Sequence, residues 1–340
     1  MIEERSPLET EKLISSLETA YGIDIHSIEF LPLGYDLNAA VYRVSTRDGL
    51  SYFLKVKYDA VSELAVQLPH FLKTQGIEQV VAPLQTQTGT FWFKLEDANL
   101  ILYPFIEGQS GMRIGLTENQ WRELGRTLKR IHTIELNPEL SAYLDKENFL
   151  PHPRSYPLAR EIHATILEKN FDRDSARELA AVWRKNYDEI NLIFERTESL
   201  SQQLQSCKAE FSLCHSDIHT ANLLITADGS LFIVDWDQPI LAPKERDLMF
   251  IMGDKVGGFV IDPQQEKLFF EGYGKAEVNW QILSYYRYER ILQELGEFGR
   301  QVLMSDAFSE EDNQQSVYWF SRMFQSGDLL EMTHEGYKKL

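Results

Sequence analysis

Apolar positions recur along the chain with two different periods. Between residues 28 and 103, short β-branched and aromatic runs alternate with turn residues; beyond Gly108, apolar residues return every three or four positions. Residues 28–31, 40–45 and 51–58 read as strands, separated by Pro32-Leu33-Gly34 and by Arg47-Asp48-Gly49. A helix is predicted from residue 7 to about residue 21, and another over residues 62–74, ending before Gly76. Residues 89–95 and 99–103 complete a predicted sheet with one inserted helix.

The second half opens with Thr117 and, three residues on, Gln120, the pattern of a capping box. Trp121, Leu124, Leu128 and Ile131 then share one helical face, so that face is expected to be buried. Residues 160–200 read as further helix. The helical period stops at Phe211: residues 211–213 and 223–226 are short apolar strands, Asp228-Gly229 is a hairpin turn signal, and residues 231–235 form the return strand. Helices are predicted to resume at Arg246. The expected fold class is α+β: a β-rich lobe, a short connector, and a mainly helical lobe with one embedded hairpin and a cleft between lobes.

Composition narrows the function classes. A chain of 340 residues with 43% apolar and 12% aromatic content can bury two cores. Its net charge of -18 disfavours nucleic acid, whose backbone requires a lysine- and arginine-rich face, and suits a small cationic molecule. Cys207 and Cys214 have neither disulfide-framework nor zinc-motif spacing. Residues 1–12 are acidic and polar rather than signal-like, and no apolar run approaches the ~18 residues of a membrane helix. A soluble cytoplasmic protein, monomer or homodimer, is expected.

The candidate chemistry lies in His215-Ser216-Asp217-Ile218-His219-Thr220-Ala221-Asn222 and in Ile233-Val234-Asp235-Trp236-Asp237. Asp217 and Asn222 are five apart, the spacing at which a kinase catalytic loop carries its base and a metal ligand. Asp235 follows on the far strand of the hairpin, which can return it towards the start of the first strand. Mg²⁺ is a hard cation that takes oxygen ligands, here the Asn222 amide oxygen and the Asp235 carboxylate. Asp217 is expected to accept or orient the proton of an attacking hydroxyl. His215 and His219 have His-x-x-x-His spacing, but the segment reads as a loop and lacks the glutamate of a zinc protease motif.

With these residues the chain resembles the aminoglycoside phosphotransferase family, which shares the protein-kinase-like two-lobed fold. Four further stretches, Tyr21-Gly22-Ile23-Asp24-Ile25-His26, Tyr103-Pro104-Phe105-Ile106, residues 241–251 (LAPKERDLMFI) and Ser284-Tyr285-Tyr286-Arg287, are similar to its spectinomycin phosphotransferase branch. The resemblance implies ATP and Mg²⁺ as cofactors and a small hydroxylated acceptor such as the dicationic aminocyclitol spectinomycin. Methylthioribose, homoserine and choline kinases share the same broad pattern, and a non-catalytic pseudokinase is the alternative from another class.

The resemblance also implies site residues. Lys55 and Lys57 share a strand face; it favours Lys55 for the ATP phosphates, with Glu63 as its ion-pair partner. Tyr103, Pro104, Phe105 and Ile106 resemble the adenine hinge, with the Pro104 carbonyl and the Ile106 N–H as contacts. Gly34 and Asn38 belong to a nucleotide loop with one glycine instead of the three of protein kinases. Asp217, Trp236, Asp237 and Tyr285 are candidate substrate contacts. Residues 1–103 are expected as the nucleotide-binding lobe, 104–110 as the hinge and 111–340 as the catalytic and substrate-binding lobe.

Overall fold

The computed structural model describes residues 9–32, 39–253, 260–325 and 329–340. In chain order they form α1 (Thr10–Tyr21), β1 (Ile25–Leu31), β2 (Ala39–Thr46), β3 (Ser51–Lys57), α2 (Glu63–Thr74), β4 (Trp92–Leu95), β5 (Ala98–Pro104), β6 (Gly108–Ser110), α3 (Gly111–Ile114), α4 (Glu118–His132) and α5 (Pro138–Tyr143). There follow α6 (Ser155–Glu168), α7 (Asp174–Lys185), α8 (Tyr187–Leu204), β7 (Ser212–Cys214), β8 (Leu223–Thr226), β9 (Leu231–Ile233), β10 (Ile240–Ala242), α9 (Glu245–Leu248), α10 (Pro263–Tyr273), α11 (Trp280–Met304), α12 (Glu310–Arg322) and α13 (Leu329–Tyr337). These elements gather into two compact units, Met1–Leu144 with Thr220–Pro239, and Asp145–His219 with Ile240–Leu340. No described helix is long and apolar enough to cross a membrane.

In the first unit, five antiparallel strands lie in the order β1-β2-β3-β5-β4. Their period of two sorts the side chains. Leu54 and Val56 join Tyr42, Val44, Leu100 and Leu102 on one face, under Leu13 and Leu17 of α1. The opposite face carries Ile101, packed with Val66 of α2 and Phe91. Lys55 and Lys57 alternate with the buried Leu54 and Val56, so they stand on this second face. Farther along, the Thr117–Gln120 capping box forms, and Trp121, Leu124, Leu128 and Ile131 are all buried.

The predicted hairpin also forms, with Gly229 left-handed (φ 87°) at its turn. Its first strand pairs with β6, a three-residue strand that the local pattern does not announce. Gly108 permits that approach, because a Cβ there would lie 2.9 Å from the Ile225 carbonyl oxygen. The return strand is held from its other side: Ile233 N–H donates to the Gln79 carbonyl (2.7 Å) and Val81 N–H to the Ile233 carbonyl (3.3 Å).

The second unit is built around the 25-residue α11, which packs against α6, α8, α12 and α13. The helix predicted over residues 160–200 is three helices. Arg184 donates to the carbonyls of Ile166 and Lys169, closing the end of α6. Asn186 stands between α7 and α8, its side chain donating to the Val182 carbonyl (2.8 Å). The breaks turn Trp183 and Phe194 inward, Trp183 stacking on Phe320 at 5.4 Å. β7 and β10 form a two-stranded ribbon; β10 lies in a stretch with no helical or strand period of its own.

Gly299 brings α11 against α6, and a Cβ there would lie 2.4 Å from Ile162 Cγ2. Alanine gains about 1 kcal/mol of helix propensity over glycine, whereas overpacking a close contact costs about 1–3 kcal/mol. Gly299→Ala is therefore expected to lower the thermal unfolding midpoint; an unchanged or raised midpoint would show that the two helices have room to part.

Candidate active site

The first unit gathers five charged side chains beneath its sheet. Lys55 Nζ lies 2.8 Å from Asp237 Oδ2 and 3.7 Å from Asp235 Oδ1. Lys57 Nζ is 3.4 Å from the same Asp237 oxygen and 3.6 Å from Asp59 Oδ1. Burial of Lys55 favours its neutral form, but Asp237 and Asp235 outweigh that and raise its pKa. Burial likewise opposes ionisation of Asp237, and Lys55 with Lys57 leaves its pKa lowered. Lys55 and Asp237 thus both stay charged around neutral pH.

The hairpin delivers the acidic members. Leu223 pairs with Ile233, and just beyond this rung Val234 N–H donates to the Asn222 carbonyl at 3.0 Å. Asp235 comes next, with a left-handed backbone (φ 65°). A non-glycine residue held there stores strain of about 1–3 kcal/mol, which persists only where surrounding contacts fix it. The bend leaves the Asp235 side chain half exposed (49%) while Trp236 is buried. Asn222 and Asp235 therefore supply hard oxygen donors of the type a magnesium ion takes.

Asp217 belongs to the second unit. Its loop starts from β7 and bends sharply at Ser216 (φ 70°). Asp247, fully buried, accepts the His215 N–H at 3.0 Å and the Ser216 N–H at 2.7 Å, so one carboxylate fixes the backbone on the approach to Asp217. The Asp217 N–H donates to His215 Nδ1 at 3.3 Å, so the His215 ring helps to fix the loop. Asp217 Oδ2 lies 3.3 Å from His219 Nε2, and Oδ1 lies 3.6 Å from Arg290 Nη1. Burial pushes the Asp217 pKa up, but His219, Arg290 and His215 outweigh it and lower it to about 2. A depressed carboxyl stabilises the folded state at and above the ordinary value of 3.8, and that contribution fades as the pH falls towards about 2.

Several expected contacts differ. Glu63 does not pair with Lys55: its carboxylate accepts Trp92 Nε1 (2.8 Å) and Gln67 Nε2 (3.3 Å), because as the first residue of α2 it faces β4, while Asp235 and Asp237 neutralise Lys55. Tyr285 is a core residue whose hydroxyl donates to the Leu150 carbonyl at 3.0 Å, and Trp236 is closed off from solvent. Asp237 is committed to the two lysines. Tyr103 and Pro104 end β5; the Phe105 N–H donates to Ser51 (3.2 Å) and its ring lies 4.4 Å from the Arg43 guanidinium, while no bond among the described residues takes the Ile106 N–H. Gly34 and Asn38 lie outside the described residues.

Two residues beside Asp217 have no local signal of their role. Asp247 sits within residues 241–251, where the sequence shows a charged run but not the two amides it receives. Arg290 becomes a neighbour of Asp217 only through the packing of α11.

Comparison with known proteins matches this architecture. A model of the phosphotransferase enzyme family matches residues 29–286. A crystal structure of a spectinomycin phosphotransferase, in complex with ADP and spectinomycin, is similar at a TM-score of 0.88 and 34% identity, covering 98% of this chain and all of that one. An amicoumacin kinase shares the fold, with a TM-score of 0.64 and 15% identity over 96% of this chain and 94% of the other. Protein StrN of Streptomyces griseus is 24% identical over 232 residues, 66% of this chain and 69% of that protein.

Asp247→Ala removes the acceptor of two buried amides, a loss of about 1–3 kcal/mol or more where the acceptor is charged. The urea midpoint is expected to fall clearly, more than for a solvent-exposed control such as Asp306→Ala. Equal midpoints would mean that the His215–Ser216 backbone finds other partners.

Proposed function

We propose that this chain, which belongs to the phosphotransferase enzyme family, moves the γ-phosphoryl group of ATP to a hydroxyl of a small cationic acceptor, an aminocyclitol of the spectinomycin type. The observation that carries the reading is the cluster of Lys55 with Asp235 and Asp237, one hairpin rung from Asn222. An ammonium beside hard oxygen donors is the arrangement that phosphates and their counter-ion require.

In this reading Lys55 exchanges part of its pairing with the aspartates for the nucleotide phosphates. Asn222 and Asp235 hold Mg²⁺, which when bound neutralises charge on the phosphate oxygens. Residues Pro104 and Ile106 offer adenine a carbonyl and an N–H. Residues 1–103 act as the nucleotide-binding lobe, 104–110 as the hinge, and 111–340 as the catalytic and substrate-binding lobe.

The acceptor oxygen forms a bond to the γ-phosphorus as the bond from that phosphorus to the β–γ bridging oxygen breaks, and that electron pair leaves with ADP. The hydroxyl proton passes to Asp217. A carboxyl whose pKa is lowered to about 2 is a weak base, so Asp217 acts first by orienting the hydroxyl and receives the proton late, once the new O–P bond has acidified it. The aminocyclitol assignment is supported by the 34% identity to a spectinomycin phosphotransferase across nearly the whole chain and by the net charge of -18, which attracts a cation.

The test is ADP release from ATP and Mg²⁺ in the presence of spectinomycin, kanamycin, methylthioribose, homoserine or choline. Strong stimulation by spectinomycin is expected, and Asp217→Ala should lower turnover about 10²–10⁴-fold with ATP binding kept. Stimulation by a metabolite alone would move the acceptor to another class. Full turnover in Asp217→Ala would refute its role.

A further inference from the structure

Two different anchors act on the Asp217 loop. Asp247 holds the backbone at His215 and Ser216. The Asp217 carboxylate is met instead by two cationic or potentially cationic side chains, His219 at 3.3 Å and Arg290 at 3.6 Å, one beside each oxygen. Arg290 is the permanent charge of the two, because a guanidinium does not titrate in the working range of a protein.

Arg290 is itself closely held. Its Nη2 lies 2.9 Å from Glu294 Oε1, one turn further along α11, and its side chain is only 17% exposed. The guanidinium carbon is 5.7 Å from the centre of the Phe250 ring, and the same ring takes His219 edge-on at 6.0 Å. One aromatic wall thus backs both groups that face the carboxylate. A guanidinium fixed in this way loses little freedom when it orients a partner.

A purely structural role does not account for this arrangement. α11 is fixed to α6 through Gly296 and Gly299, against Leu158 and Ile162, and its buried face carries Ile291, Leu292 and Leu295. The loop backbone is fixed by Asp247. What the contact with Arg290 adds is control of the Asp217 side-chain torsions. We propose that Arg290 is a positioning residue for phosphoryl transfer, fixing the orientation of the Asp217 carboxylate so that the acceptor hydroxyl meets an oxygen lone pair already in place. This rests on the reading of Asp217 as the group that receives the acceptor hydroxyl. The lowered pKa of Asp217, to which Arg290 contributes after burial and His219, agrees with it.

The experiment compares Arg290→Met, Arg290→Lys, Arg290→Ala and Asp217→Ala in steady-state ADP release with ATP, Mg²⁺ and spectinomycin, beside the ATP Kd from calorimetry and the thermal midpoint. Arg290→Met is expected to lower kcat about 10²-fold, the scale of a small misplacement of a catalytic group, with the ATP Kd unchanged and the midpoint lowered only by the ion pairs lost with Asp217 and Glu294. Arg290→Lys should recover part of the rate, and added guanidinium should raise the rate of Arg290→Ala but not of Asp217→Ala. An unchanged kcat in Arg290→Met, with Asp217→Ala inactive, would overturn this inference and leave the proposed reaction standing. A lowered kcat that follows a lowered midpoint, with no recovery by lysine or guanidinium, would also overturn it, since the role would then be structural. Full activity of Asp217→Ala would overturn the proposed role of Asp217, and this inference with it.

Discussion

The ion cluster of Lys55, Asp235 and Asp237 is the constraint on which the first unit turns. A largely buried lysine is tolerable only if opposite charge reaches it, and here that charge comes from residues 180 and 182 positions later in the chain. Three features make the meeting possible. The alternation of β3 puts Leu54 and Val56 under α1 and turns Lys55 to the other face. Residues Gln79 and Val81 grip both sides of the Ile233 peptide, setting the position of the return strand. The left-handed bend at Asp235 then buries Trp236 while its own carboxylate remains half exposed.

The second unit divides the work on Asp217 differently. Buried Asp247 governs the backbone through two amides, whereas His219 and Arg290 address the carboxylate. Ser216, like Asp235, sits in the left-handed region. Two of the strained non-glycine residues therefore lie at or next to the acidic groups that carry the proposed chemistry, as expected where geometry is selected over local comfort. The low pKa of Asp217 follows from the same surroundings and favours orientation of the hydroxyl over early removal of its proton.

Much of this was legible in the chain because local rules governed it. The Asp228-Gly229 turn fixes the hairpin, the Thr117–Gln120 box starts α4, and alternation places Lys55 and Lys57 on one face. The α+β class and the family resemblance follow from those elements and from the Asp217–Asn222–Asp235 spacing, and the match over residues 29–286 agrees. What the pattern misses depends on distant partners. β6 and β10 are three residues each and exist because β8 and β7 pair with them. Glu63 turns to Trp92 because the hairpin aspartates already neutralise Lys55. Tyr285 lies on a helix buried along much of its length, where aromatic spacing alone does not distinguish a core from a pocket wall. Arg290 meets Asp217 only through the packing of α11.

In this reading the Lys55–Asp235 cluster is the phosphate-and-metal end of a nucleotide site. Calorimetric titration of ATP, with and without Mg²⁺, into the wild type and Asp235→Ala tests it most directly. Mg²⁺ is expected to tighten ATP binding to the wild type, and this gain to be lost in Asp235→Ala, while metal-free ATP binds the variant at least as well, because one carboxylate no longer competes for Lys55. An equal gain from Mg²⁺ in both proteins, or no ATP binding by either, would contradict it.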